Sequence, residues 1–252
     1  IMCTYDKIPS LVSLIIPKEY RLLVDEYHNL LKIYSYRKEA VEGVLEHFNE
    51  FKSYCFMSAT PIAMDFKPDA LKDVEEYIAD WKHIEPLTIL PYKTNRAYML
   101  TANLIKAYQR EGYIKKDELK SYEAYFFINS VTEIKKILEY THLTNDDCRI
   151  ICADEDKNRR TLGEYQISSS TDAPKKFNFI TSKSFEGVDF YSETGICYVV
   201  SNIHNEHTLL SVDMDIPQIA GRIRNTNNPF RNLVVHIFNT RPKDYYENYG
   251  KA

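Results

Sequence analysis

The chain predicts an α/β fold with mainly parallel sheets, and three observations carry that prediction. Short apolar runs rich in β-branched and aromatic residues recur along the sequence. Stretches with helical spacing separate them, and the runs are apolar throughout rather than alternating, which suits strands covered on both faces. Strands are predicted at residues 20–26 (YRLLVDE), 53–59 (SYCFMSA), 124–130 (AYFFINS), 148–154 (CRIICAD), 177–182 (FNFITS), 195–201 (GICYVVS) and 233–238 (LVVHIF). Helical patterns fall at roughly 37–52, 70–82, 95–111, 131–141 and 216–225. Strands alternating with helices in this way point to parallel pairing through crossover connections.

Two sheets fit the pattern better than one. A charged amphipathic helix ending near Trp81 leads into HIEPLTILPYKTN, where Pro86 and Pro91 mark a crossing segment. A boundary is therefore placed near residue 86, giving domains 1–86 and 87–252. Residues 115–120 read as a charged surface connection and 165–176 as a polar loop.

The 252 residues carry a net charge of −4, with 44% hydrophobic content. That balance excludes a protein coated in basic surface for indiscriminate nucleic-acid binding and leaves room for a local basic cleft. No apolar run approaches membrane-spanning length and the N-terminus lacks a signal-peptide layout, so an intracellular, soluble chain without a membrane partner is expected, cytoplasmic if the source is bacterial. Cys3, Cys55, Cys148, Cys152 and Cys197 lie singly in apolar contexts and read as buried, reduced thiols, not metal ligands. The chain begins at Ile1, so a longer or processed parent is expected.

Chemistry concentrates in a few segments. In LLVDEYHNLL an apolar strand delivers Asp25 and Glu26 at its carboxyl end, where open α/β sheets bind ligands. One carboxylate can hold Mg²⁺ while its neighbour polarises a water, and His28 lies two positions on. A strand ending in a charged, solvated turn explains the same residues equally well. In CFMSATPI, Ser58 and Thr60 flank a small residue directly after a strand, as a bridge to a second site or as ordinary caps.

FNFITSKSFEGVDFY sets Thr181 and Ser182 at a strand end, with Gly187 permitting close backbone approach and Asp189 adding a carboxylate. In DMDIPQIAGRIRNTNNP, Asp215 suits an N-cap, and Gln218 and Arg222 share a helix face. Gly221 removes bulk beside them. Arg224 lies about 200° from Arg222 on an ideal helix, so the two guanidinium groups converge only where the helix unwinds. An exposed basic helix end is the plain alternative.

The order of these segments resembles the motif series of superfamily 2 (DExH-type) helicases, motifs II to VI: DEYH, SAT, a strand INS before a helix, TSKSFEGVD and QIAGRIR, from Leu22 to Arg224. CTYDKIPSL looks like the preceding segment that touches nucleic-acid backbone. The resemblance implies two RecA-like domains, the first N-terminally truncated, with ATP between them and a single strand, expected to be DNA, running across both. It implies that Asp25 is the Mg²⁺ ligand and Glu26 the general base, with His28, Ser58 and Thr60 coupling hydrolysis to the strand. Gln218 and Arg222 would address the γ-phosphate, with Arg224 as arginine finger. Thr4, Asn129, Thr181 and Ser182 would lie along the nucleic acid, and Gly187 and Asp189 on the nucleotide side.

Two features depart from the family. No two of the seven glycines have the phosphate-loop spacing before Lys-Ser or Lys-Thr. In the family that loop precedes the DExH strand, so the missing N-terminal segment is itself an expected partner, and this chain alone is expected to hydrolyse ATP negligibly. Arg224 also follows Arg222 by two positions where many members have three, a compact spacing that resembles some viral and mobile-element DNA helicases. A helicase-derived, non-catalytic binding module is the alternative from another class. A metal nuclease using Asp25, Glu26 and His28 is disfavoured because no second carboxylate cluster accompanies them.

Overall fold

A computed structural model describes residues 1–80, 82, 85–185 and 188–241. The chain divides into two compact units, Ile1–Lys82 and His83–Ala252. It is an α/β protein whose largest sheet has six strands, all parallel, flanked by helices on both faces. Among the described residues no helix is long and apolar enough to cross a membrane.

Unit 1 contains α1 (Ile8–Val12), β1 (Arg21–Val24), α2 (Asn29–Lys32), α3 (Lys38–His47), β2 (Ser53–Phe56) and α4 (Asp69–Lys72). β1 and β2 pair in parallel with Leu22 opposite Tyr54 and Val24 opposite Phe56. The face carrying Val24 packs on Ile8, Val41, Val44 and Phe48. Gly43 permits the α1–α3 contact, because a Cβ there would lie 2.7 Å from Cγ of Pro9. The other face is bare: Leu23 is 57% exposed and Cys55 is exposed.

Unit 2 contains β3 (Thr88–Lys93), α5 (Ala97–Glu111), β4 (Ile114–Lys116), β5 (Leu119–Ser121), β6 (Ala124–Phe127), α6 (Val131–Thr141), β7 (Cys148–Ile151), α7 (Asp156–Leu162), β8 (Phe177–Ile180), β9 (Ile196–Val200), α8 (Asp215–Ala220) and β10 (Leu233–Phe238). The sheet order is β3-β10-β9-β6-β8-β7, and β4-β5 form a separate hairpin. Alternating residues of the same strands fill two cores. Phe126, Phe179, Ile150 and Tyr198 face α5 and α6, while Tyr125, Phe127, Ile180 and Val199 face α8. Ser130 caps α6 by accepting from the backbone N–H of Glu133.

All seven expected strands form, but several expectations need correction. The segment read as a proline-marked crossing is β3, an edge strand. Thr88 and Thr94 donate backbone N–H groups to the carbonyls of Asn232, just before β10, and Phe238, at its end. By the period of two, Pro91 therefore turns its missing N–H to the open edge, where no ladder bond is lost. Residues 115–120 form most of a hairpin rather than a plain connection. The helix expected over 70–82 stops at Lys72, with Trp81 outside the described residues. Val74 still packs on the unit 1 core, but Tyr77 and Ile78 beyond it are 83% and 82% exposed, so little packing offsets the cost of extending a short helix. The helix expected over 216–225 ends at Ala220. Two of the five thiols, Cys3 and Cys55, are exposed, Cys55 because it lies on the bare face of β2. Burial pushes the Cys148 and Cys197 thiols up to about 12 and that of Cys152 to about 11.

Candidate functional site

In unit 1, β1 ends at Val24 and the chain turns at once. Asp25 is exposed, and its Oδ1 accepts from the Glu26 backbone N–H at 3.0 Å. Glu26 has φ +49°, a left-handed conformation that a non-glycine residue adopts at a cost of about 1–3 kcal/mol. The turn is held from outside by Tyr5, whose hydroxyl donates to the Asp25 carbonyl at 2.7 Å. Tyr5 lies next to Thr4, which is exposed; the Thr4 side chain hydrogen-bonds Asp6 and holds that carboxyl below its usual range. Sequence reasoning missed Tyr5, although its neighbour in CTYDK was singled out.

His28 is fully buried and gathers the remaining residues expected in this unit. Its Nδ1 lies 2.7 Å from Ser58 Oγ, 3.4 Å from Thr60 Oγ1 and 3.2 Å from Glu26 Oε2. The Ser58 hydroxyl also accepts from the Thr60 backbone N–H at 3.0 Å. The SAT segment after β2 is thereby fastened to the DEYH turn after β1. Glu26 Oε2 approaches the imidazole without hydrogen-bond alignment and is buried with no hydrogen-bond partner. Such an orphaned carboxylate oxygen fits a water or hydrated cation beside exposed Asp25, and the pair offers the hard oxygen donors that Mg²⁺ takes. Among the described residues no group of three or more His, Cys, Asp or Glu side chains forms a metal cluster. A Mg²⁺ held by one or two carboxylates and substrate phosphates needs no such cluster.

In unit 2, a cleft of about 490 Å³ opens at the carboxyl ends of β6, β7 and β8. Asn129, Thr181 and Ser182 all line it, joined by Lys157, Lys183, Asn205 and His207. The three expected residues have different tasks there. Asn129 spends its amide on the protein: Nδ2 donates to the His207 carbonyl at 2.6 Å, and Oδ1 accepts from the Ser182 backbone N–H at 3.2 Å. Thr181 is buried and its hydroxyl donates to the Ile151 carbonyl at 3.4 Å. Ser182 is exposed beside Lys183. Lys157 and Lys183 outweigh the single lining carboxylate, Glu133, and leave the cleft weakly positive; Lys183 was legible within TSKS. Asn205 and His207 sit on the loop after β9, which carries no motif in the sequence.

The arginine segment is reorganised relative to a helix. Gln218 and Arg222 are buried, and Arg222 Nε donates to the Gln218 carbonyl at 2.8 Å while Nη2 reaches Gln218 Oε1 at 3.5 Å. Asp215 is the first residue of α8 rather than its N-cap; its carboxylate accepts from the Ser211 backbone N–H at 2.7 Å. Beyond Ala220 the chain runs beside Asp189 and Phe190. The Phe190 N–H donates to the Arg222 carbonyl at 2.7 Å, and the Arg224 N–H to the Phe190 carbonyl at 2.9 Å. Asp189 Oδ1 then lies 2.9 Å from Arg224 Nε and 3.8 Å from Arg222 Nη1. Gly187 lies outside the described residues.

A buried cation underlies this segment and was not anticipated. Arg149 on β7 donates to Asn178 Oδ1 at 3.0 Å and to the Asp172 carbonyl, and its guanidinium lies 5.3 Å from the Phe190 ring centroid. Burial lowers its pKa, and its Nη2 has no hydrogen-bond partner. In the sequence Arg149 is one polar residue inside an apolar strand, a signal too slight to interpret. A scan against protein-family models and a search of curated proteins returned no match to this chain.

Proposed function

We propose that the chain is the motor core of an ATP-dependent nucleic-acid helicase or translocase, built on two RecA-like units. One observation carries the reading. The motif residues, in their order along the chain, lie beyond the carboxyl ends of parallel strands: Asp25 and Glu26 after β1, Ser58 and Thr60 after β2, Asn129 after β6, Thr181 and Ser182 after β8. That is where α/β sheets bind ligands.

ATP is the substrate in this reading, and a Mg²⁺ bound with it would neutralise phosphate charge. Asp25 would hold that ion. Glu26 takes the proton of the attacking water, and His28 lies beside its carboxylate while contacting Ser58 and Thr60. Arg222 and Arg224 stabilise charge on the transferring phosphoryl group. Lys157, Lys183 and Ser182 bind the strand through its phosphates, as sequence-independent tracking requires.

The test is strand-stimulated ATP hydrolysis by the full-length protein. Glu26→Gln should lower kcat roughly 100-fold or more with ATP affinity retained, because only the base is removed. Normal turnover by that variant refutes the role of Glu26. A second reading, a non-catalytic strand-binding module, is favoured by one feature: the lysine-bearing cleft lies entirely within unit 2. Strand binding indifferent to nucleotide, with no hydrolysis in the full-length protein, would select it.

A further inference from the structure

α5 does not fill the space above one edge of the unit 2 sheet. It packs against β9 and β10, and its buried stripe runs through Ala97, Thr101, Ile105 and Tyr108. β3 lies beyond β10 as the last strand on that side. Leu90 stands opposite Val235, and Val235 opposite Tyr198, which makes one apolar row across three strands. Leu100 and Leu104 on the flank of α5, with Ile114 on β4, close round this row and stay only partly buried. A cavity of about 190 Å³ remains between them, and none of its lining residues lines the cleft that holds Asn129 and Lys157.

The hydroxyl on the cavity floor is already committed. Ser121 Oγ donates to the Glu123 carbonyl at 2.9 Å, so the Tyr108 hydroxyl, 2.8 Å away, donates to Ser121. The Tyr198 hydroxyl, 3.0 Å from that of Tyr108, donates to it in turn and has no proton left for a guest. The most exposed lining residues, Tyr92, Lys115 and Lys116, mark the mouth. Lys115 pairs with Glu118 at 3.2 Å and Lys116 with Asp117 at 2.6 Å, so each cation there has its own carboxylate.

We propose that this cavity is a binding site for a neutral, apolar molecule of single-ring size. Water finds few hydrogen bonds against such walls, whereas a hydrocarbon regains the contacts that an unfilled space forfeits. An apolar cavity of roughly 150 Å³ accommodates benzene, so one of about 190 Å³ takes a substituted ring. An anionic guest would meet lysines already paired and would lose its water against a carbon-lined floor. Nothing in this site depends on the motor reading.

The experiment is a titration of the 252-residue chain, labelled at its Ile, Leu and Val methyl groups, with toluene and with benzoate, followed by NMR. Toluene should shift the methyl signals of Leu90, Leu104 and Val235 saturably, with a Kd of about 1 mM or below. Benzoate, the same ring bearing a carboxylate, should bind roughly tenfold more weakly or worse. Leu104→Trp fills the cavity and should weaken toluene binding by roughly tenfold or more. Should that variant fail to fold, Leu104→Ala enlarges the space instead, and naphthalene should bind it more tightly than it binds the wild type. No saturable shift at these methyls, benzoate as tight as toluene, or a Leu104→Trp chain that folds and binds toluene normally overturns the proposal. So would movement of the same signals with protein concentration alone, because a second copy of the chain would then cover the mouth.

Discussion

Phe126 in unit 2 and Leu23 in unit 1 occupy similar places, each inside a short parallel strand, yet their surroundings differ completely. Phe126 is fully buried and stacks between Phe179 at 5.3 Å and Tyr198 at 5.1 Å. Leu23 is 57% exposed on a sheet of two strands. The contrast shows two ways of positioning functional groups. In unit 2 a thick apolar core fixes the strands, and the loops at their carboxyl ends inherit that order. In unit 1 the turn bearing Asp25 and Glu26 relies on polar ties, from Tyr5 to its backbone and from Ser58 and Thr60 to His28.

The sharpest way to break this comparison is to truncate both side chains. Phe126→Ala should destabilise unit 2 by about 3–5 kcal/mol, through lost transfer energy and the cavity left behind. Leu23→Ala should change stability by less than about 0.5 kcal/mol, as exposed sites do. Denaturant titration of each variant measures both, with amide exchange assigning the loss to a unit. Equal losses at the two positions would mean that the bare face of β1 is covered in solution.

A smaller effect sharpens the comparison within unit 2. Asn129 ties the loop after β8 to the loop after β9 through two hydrogen bonds, so its role is to position the cleft. Asn129→Ala should cost about 1–3 kcal/mol, since each of the two hydrogen bonds contributes roughly 0.5–1.5 kcal/mol. Faster exchange of the Ser182 amide should accompany it, while the amides of β6 stay protected. Unchanged exchange at Ser182 would show that Thr181 and its bond to Ile151 suffice to hold that loop.

What the sequence revealed follows the same division. The strands from β6 to β10 were legible because they are largely buried on both faces and read as mainly apolar runs; Phe177–Ile180, despite Asn178 inside it, and Ile196–Val200 are buried at every position. β3 was not, because it is an edge strand with a proline whose harmlessness depends on which way its nitrogen points. Helix 70–82 failed because periodicity records a stripe and says nothing of whether a surface exists to cover it. At the site, residue types were readable and their partners were not. His28 was singled out, but its place between Glu26, Ser58 and Thr60 requires β1 and β2 to be neighbours. The convergence of Arg222 and Arg224 depends on a helix ending at Ala220; the polar, proline-terminated NTNNP beyond them made unwinding readable, whereas the pairing of Phe190 with Ile223 that accompanies it is a long-range contact no local pattern announces.

The smallest expected effect tests how dry the unit 2 sheet is near its carboxyl edge. His236 on β10 lies 2.9 Å from the Ser201 hydroxyl and stacks on Phe238 at 4.8 Å. Burial disfavours its charged form and lowers its pKa from the ordinary 6.5. Below that value the unfolded chain takes up a proton that the folded one resists, so falling pH favours unfolding. The contribution of His236 is therefore fully present above about pH 6.5, shrinks as pH falls below it, and levels off once the folded form also protonates. Substituting His236→Gln removes this dependence and leaves that of the carboxylates. The difference between wild-type and variant stability, followed by denaturant titration from pH 8 to pH 5, should thus shift against the wild type as acid is added. A constant difference across that range would place water at His236, and the sheet edge would then be as open as the face of β1 that carries Leu23.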